Sequence, residues 1–481
     1  MSQMSRQDPL IENHTVDYVP LAERHGKARD LFTLWFSTNI APLPIVTGAM
    51  VVQVFHLDLL WGLLAIALGH MIGGVVIALA SAQGPRMGIP QMVQSRGQFG
   101  RYGAVFIWIV AVLVYWGYVV LNVNLMGATA QQLGLGTVTI SGVVLGIVSI
   151  VVAIFGYNLL HVGQRYTTVA LVAVLGVFVV GLAMAGGFTS GLLALEGTFS
   201  FTPFLMVTSA ALAYQLSWAF FVSDYSRYMP PTTSHRSIIT YTAMGAGFGV
   251  FSMEAVGAIS AALYPKDALT QGLQLAGDSI YPGFGAVVLV VGGIALLIFN
   301  GMCVYGGALT LITAMDSIVP TNPNRSLRIK AIVILGISAT IVGVLLPDTF
   351  INTTFYTVLA VLAYLMAPWT AVNLVDYFVV RKGQYSVREI FRSDGIYGKW
   401  NWRGMAAYVI SFVVMIPFMY LPFYQGPVAT WFGGVDYAFF VGIPVGGILY
   451  WLFCRSLDVR AELLLIKDAD ANLERDATPI L

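Results

Sequence analysis

Apolar residues fall in runs of about twenty, parted by short polar segments, from residue 30 to residue 454. A helix needs about that many apolar residues to cross the hydrocarbon of a bilayer, so each run predicts a membrane span. Twelve are expected, at roughly 30–53, 59–81, 103–128, 138–160, 166–187, 202–222, 237–264, 284–314, 329–347, 354–378, 404–422 and 436–454. The tails, 1–28 and 456–481, are polar, too short for domains and expected to be partly disordered. A polar stretch of nearly thirty residues precedes the first run, so no secretory leader is expected.

Composition agrees with the pattern. Of 481 residues 58% are hydrophobic and only 10% charged, with a mean hydropathy of +0.79. Soluble proteins carry roughly 25% charged residues. Fifty glycines suit membrane helices that pack closely. The net charge of +1 gives nucleic acid nothing to bind. Cys303 and Cys454 lie in separate apolar runs and read as small buried hydrophobes, with no disulfide or metal pair.

The charges also orient the chain. With the N-terminus inside, Arg24, Lys27, Arg29, Arg86, Arg96, Arg101, Arg165, Arg227, Arg236, Arg325, Arg328 and Lys330 all fall on the cytoplasmic side. The dense set Arg381, Lys382, Arg388, Arg392, Lys399 and Arg403 falls there too, and only Lys266 lands outside. Basic loops favour the cytoplasm. A multi-pass cell-membrane protein with both termini cytoplasmic is therefore expected.

Two spans are interrupted. Span 1 contains Asn39-Ile40-Ala41-Pro42-Leu43-Pro44, and span 6 carries Gln215, Ser217 and Trp218 at mid-depth. Proline cannot donate the helical hydrogen bond, so carbonyls are freed there. Freed backbone at membrane depth is tolerated only against protein or a water-filled cavity. An ordinary proline kink is the plain alternative. Spans 1 and 6 would open two five-helix halves, and carriers place substrate at such broken helices.

Several segments are recognisable as motifs. They are Leu34-Trp35-Phe36-Ser37-Thr38-Asn39 in span 1, Gln91-Met92-Val93-Gln94-Ser95-Arg96-Gly97-Gln98-Phe99-Gly100 after span 2, and Phe155-Gly156-Tyr157 in span 4. Span 6 gives Ser217-Trp218-Ala219-Phe220-Phe221-Val222-Ser223-Asp224-Tyr225-Ser226-Arg227-Tyr228. Span 10 gives Ala367-Pro368-Trp369 and Asp376-Tyr377-Phe378-Val379-Val380-Arg381-Lys382-Gly383. In this order, over nearly all the membrane region, the chain resembles the nucleobase–cation symporter family 1, the purine, cytosine, allantoin and hydantoin permeases. Its nearest likeness is the fungal-type purine–cytosine permease branch. The resemblance implies an all-α, leucine-transporter-type fold: ten core helices as inverted repeats, about 29–187 and 200–378, with a loop and two peripheral helices over 379–455. It also implies a substrate lying flat between aromatics of spans 3 and 6, its edges read by amides.

A nucleobase has two apolar π faces and a rim of donors and acceptors, so stacking rings and Asn or Gln side chains suit it. Trp218 aligns with the family's stacking aromatic, beside Ser217 and Gln215. In span 3, Gly117-Tyr118-Val119-Val120-Leu121-Asn122 repeats the family's Gly-aromatic-x-x-x-Asn pattern with Tyr in place of Trp. Tyr118 and Asn122, four residues apart, share a helix face. Trp116 is the rival stacking residue. Asn300 in span 8 matches a family Asn, and Asn39 and Ser37 are further candidate liners. For Asn300 the plainer reading is a helix–helix hydrogen bond.

The coupling ion follows from the same segments. Sodium-coupled relatives offer hydroxyls just before the span 8 Asn, where this chain has Ile298 and Phe299. That departure favours a proton, with sodium left open. A proton carrier needs a titratable group inside the membrane, and Glu254 in span 7 is the first candidate, His70 in span 2 the second. Asp224 with Arg227 and Asp376 with Arg381 lie at helix ends and read as ion pairs or gates. No phosphate loop, metal cluster or nucleophile–base pair argues for an enzyme, and no filter motif for a channel. The expected partners are a small heterocycle, a coupling cation and the bilayer, with no cofactor and no metal. Sodium coupling, or an allantoin, hydantoin or vitamin-precursor cargo, is the alternative within the resemblance.

Overall fold

The computed structural model describes residues 18–185, 199–318, 325–347, 355–392, 394–462, Leu464 and Ile466. The expectation of loose tails concerns mainly residues 1–17 and 467–481, outside that set. Span 1 is two helices, α1 (Asp30–Asn39) and α2 (Leu43–Gln53), meeting at 62°. Pro42 stands before α2 and Pro44 in its first turn, where a missing N–H costs nothing. Then come α3 (Leu59–Ser81), α4 (Gly84–Met87), α5 (Gln91–Gln132), α6 (Val138–Phe155) and α7 (Tyr157–Met184). Span 6 is also broken, into α8 (Phe201–Leu216) and α9 (Val222–Ser226). It is followed by α10 (His235–Leu263), α11 (Leu269–Asp278), α12 (Phe284–Ile318), α13 (Arg325–Leu345) and α14 (Phe355–Val375). The chain closes with α15 (Val387–Phe391), α16 (Trp402–Met415), α17 (Pro427–Trp431) and α18 (Ala438–Phe453).

Among the described residues nine single helices are long and apolar enough to cross a membrane, and the bent α1–α2 pair makes ten. Two shorter apolar helices, Phe201–Leu216 and Trp402–Phe418, fall below that length. Length and composition therefore support ten of the twelve expected spans directly. The multi-pass, all-α architecture stands on those ten.

The departures from the sequence reading have local causes. The motif after span 2 is not a loop but a buried helical stretch of α5, Gln91–Phe99, and the helix then swings at Gly100. Gly100 has φ +77°, and a Cβ there would sit 2.9 Å from the backbone of Lys399 and Asn401. Spans 4 and 5 meet at Gly156, φ +92°, so the expected boundary at residue 160 moves back to Phe155. The apolar run continues through the turn and hides it. The amphipathic α11 lay in a segment read as a plain loop.

Helices α1, α2, α3, α8 and α10 pack mainly on one another, and α5, α6, α7, α12 and α13 form a second group. Backbones touch where glycines allow it. A Cβ on Gly48 would meet the Glu254 carbonyl at 1.9 Å, and one on Gly257 would meet that of Ile45 at 1.9 Å. Helices α14, α16 and α18 pack together alongside. At the end opposite the basic loops, the wholly buried Asp436 accepts from Tyr364 Oη, from Ala438 N (2.9 Å) and from Tyr420 N (3.4 Å).

Candidate substrate and ion sites

Helix α8 ends in a series of tight turns. Ser217 N reaches Ala213 O and Tyr214 O, Trp218 N reaches Gln215 O, and Phe221 N reaches Trp218 O before α9 begins. Trp218 therefore sits inside the break of span 6. Its ring meets Trp35 of α1 edge-on at 5.7 Å between centroids and Phe299 of α12 at 6.3 Å. Tyr118 Oη donates to Ser217 Oγ at 2.7 Å, and Ser217 Oγ donates to Tyr214 O at 2.7 Å. Span 3 is thus tied to the break by this hydrogen bond and by Tyr115, whose ring packs on that of Phe221 at 4.5 Å between centroids. Trp116 turns the other way and donates to Ser338 Oγ of α13 at 3.1 Å. Of the two span 3 aromatics, only Tyr118 reaches span 6.

Asn122 and Asn300 are brought level by the packing of α5 on α12. The two helices run antiparallel: Gly293 faces Thr129, and Gly307 faces Tyr115. Asn300 lies seven residues from each of those glycines, and Asn122 seven from each of their partners. Both side chains are fully buried, and neither amide has a hydrogen-bond partner through its oxygen or its nitrogen. Buried amides of this kind are rare in folded proteins unless a ligand or water completes them.

The remaining candidate liners have these surroundings. Gln215 lies with its Cβ and Cγ against Gly73 of α3, its amide buried and without a partner. Asn39 Nδ2 donates to Trp35 O at 2.9 Å, and its Cβ packs near Gly249 of α10. Ser37 Oγ turns back to Leu34 O of its own helix at 2.9 Å.

The two ionisable candidates, far apart in sequence, form one pair. His70 Nε2 stands 2.9 Å from Glu254 Oε2, both residues 2% exposed. Thr47 Oγ1 lies 3.0 Å from Glu254 Oε1 and 2.8 Å from Pro44 O. His70 Nδ1 is buried without a partner, and the ring meets Tyr214 edge-on at 6.1 Å. An acid and a base in contact, shielded from water, can hold and pass a single proton.

At the basic end, Asp376 is fully buried. It accepts from Arg381 Nη1 (2.5 Å), Tyr385 Oη (2.6 Å), Tyr450 Oη (2.9 Å) and Gln98 Nε2 (2.9 Å). The other face of Arg381 is held by Glu462, Nε to Oε2 at 2.8 Å and Nη2 to Oε1 at 3.1 Å. Asp224 Oδ1 accepts the Gln91 amide at 2.6 Å, while Arg227 donates to Tyr228 Oη and to the Asp224 carbonyl. These groups join the ends of spans 2, 6, 10 and 12. Sequence reasoning missed Glu462, which stands in a polar tail with no pattern to mark it. It also missed Thr47, whose spacing three residues after Pro44 was the available signal.

Two broken helices within a multi-pass helical fold are the architecture of a membrane carrier of the leucine-transporter type. The chain belongs to the permease family for cytosine/purines, uracil, thiamine and allantoin, whose profile matches residues 18–442. It is 33% identical over 459 residues to the putative purine-cytosine permease YxlA of Bacillus subtilis, covering 92% of this chain and 96% of that one. It is 23% identical to the purine-cytosine permease FCY2 of Saccharomyces cerevisiae, covering 89% of this chain and 82% of that protein. In fold it is similar to Mhp1 in its inward-facing conformation, with a TM-score of 0.76 at 18% identity over 98% of this chain and 99% of that one. It is equally similar, at 0.76 and 17% identity over 97% and 99%, to Mhp1 as a closed nucleobase-cation-symport-1 transporter with bromovinylhydantoin bound. The chain is therefore a secondary transporter, not an enzyme.

Proposed function

We propose that this chain imports a neutral nucleobase of the purine or cytosine class across the cell membrane, with a proton as the coupling ion. The observation that carries the cargo is the level pair Asn122 and Asn300, four unmet amide groups within the same helix packing that holds Trp218. A flat base stacked on Trp218 would give those amides the donors and acceptors they lack. Neither amide carries charge, which suits a neutral ring better than a cationic vitamin. The names of the relatives, purine-cytosine permeases, agree with this cargo.

Proton coupling is supported by the His70–Glu254 contact. It is supported further by span 8, where Ile298 packs against Gly163 and Phe299 against Trp218, leaving no side-chain oxygen at those positions. The basic loops argue for cytoplasmic termini. In this reading the two repeats, 29–187 and 200–378, rock about the site to expose it alternately.

Thermal-shift titration of the purified protein with adenine, guanine, hypoxanthine, cytosine, uracil, allantoin and benzylhydantoin tests the cargo. A saturable shift with at least one purine or with cytosine, exceeding that of allantoin and hydantoin, is expected. Stabilisation by allantoin or the hydantoin alone would transfer the site to those rings.

A further inference from the structure

The broken end of span 1 poses a separate physical problem. A helix that stops at mid-depth leaves last-turn carbonyls without donors and the negative end of its dipole in a medium that cannot solvate it. In many broken-helix carriers a coupling cation meets those carbonyls. Here α1 stops at Asn39. Phe36 O is taken by Ile40 N at 3.1 Å. Ser37 O is met from another helix: Gln164 Nε2 of α7 donates to it at 3.2 Å and Thr168 Oγ1 at 3.4 Å. Gln164 and Thr168 are 9% and 8% exposed, one turn apart on the same face, and Gln164 Nε2 also reaches Thr168 Oγ1 at 3.4 Å.

Two details fix the amide's role. Gln164 Oε1 is buried and has no partner, so the side chain is placed by what its N–H group bonds. Turning the amide over would set oxygen against the Ser37 carbonyl. The preceding residue, Gly163, takes the side chain of Ile298 at contact distance, so aliphatic carbon fills the approach from α12.

We propose that the Gln164 amide takes the place of a monovalent cation at the broken end of span 1, positioning that half-helix against span 5 through a neutral donor. The proposal rests on the reading of the chain as an ion-coupled carrier and concerns this junction alone. Gln164 is a positioning residue, since it meets the backbone of span 1 and not the base. The polar residue near the start of span 5, four before Thr168, was visible in the sequence, but its target was not.

Gln164→Glu keeps the shape and exchanges the donor for a carboxylate oxygen. The introduced carboxylate would then stand with Ser37 O and Thr168 Oγ1 as an oxygen-lined cation site. The test is thermal melting of the full-length purified protein, with sodium chloride exchanged for choline chloride at constant ionic strength and no substrate added. Wild type should melt alike in both salts. Gln164→Glu should gain a saturable sodium stabilisation on the order of 5 °C, and Gln164→Leu should gain none. A saturable sodium stabilisation of wild type that Gln164→Leu abolishes would overturn the proposal, as would a glutamate variant that ignores sodium. Should Gln164→Glu not fold, Gln164→Ala carries the test, because it leaves Ser37 O open to an ion beside Thr168. Sodium stabilisation absent from wild type supports the proposal, and no response overturns it. The readout needs neither substrate nor gradient, so it is independent of whether protons drive uptake.

Discussion

Trp218→Ala is expected to weaken nucleobase binding by about 5- to 150-fold, which would lower uptake at sub-saturating substrate by a similar factor. The size follows from base–aromatic stacking, worth about 1–3 kcal/mol per base on truncation to alanine. Two aromatic rings, Trp35 and Phe299, stand inclined to the indole at 75° and 60°. Neither ring lies parallel on it, the arrangement a planar ligand would take on its π face. Alanine would remove that face and also loosen the contact with α1. Trp218→Phe separates the two effects, since it keeps an aromatic face and much of the packing. Equilibrium binding of labelled adenine and cytosine, with a melting curve as the folding control, is the measurement. The phenylalanine variant should retain most of the affinity. Unchanged binding in the alanine variant would remove Trp218 from the site.

Glu254→Gln is expected to abolish concentrative uptake while sparing exchange of labelled for unlabelled base. Gln preserves the volume and can still bond to Thr47 and His70, so the junction of α2, α3 and α10 should hold. What it loses is the proton. A pH step of one unit drives about tenfold accumulation per proton carried, and a variant that binds no proton forfeits that factor. Wild-type uptake should rise as the outer pH falls, and the variant's should be flat. A variant that still accumulates substrate under a pH gradient would demote Glu254 to a structural role. His70→Gln probes the other partner, and a similar loss would assign the proton to the pair.

Much of this fold could be read from the chain before any coordinates. The apolar runs carried the helices, and Pro42 and Pro44 the break in span 1. What stayed hidden depended on partners far away in sequence. Nothing in Gln91–Phe99, a polar stretch, says that it is a buried helix; its side-chain amide nitrogens donate to Gln83, Asn373, Ser223 and Asp376, which only the fold supplies. Gly156 sits inside an apolar run that looks continuous, and only its positive φ ends the helix.

The candidate site was legible in the same uneven way. The four-residue spacing of Tyr118 and Asn122 put them on one face, and the structure sends Tyr118 to Ser217 and leaves Asn122 unmet. That Asn300 lies level with Asn122 needed the register of two packed helices. Glu254 and His70 each stood out as ionisable residues in apolar runs, but their contact spans 184 positions. Gln215 packs its Cβ and Cγ against Gly73, a contact only the fold reveals, and its buried amide is without a partner.

The most direct test of the account is uptake of labelled adenine and cytosine by the purified protein in proteoliposomes under imposed gradients. Concentrative uptake should follow an acid-outside gradient in choline buffer, and adding a sodium gradient should leave it unchanged. Uptake driven by sodium alone, or indifferent to both gradients, would contradict proton-coupled nucleobase transport.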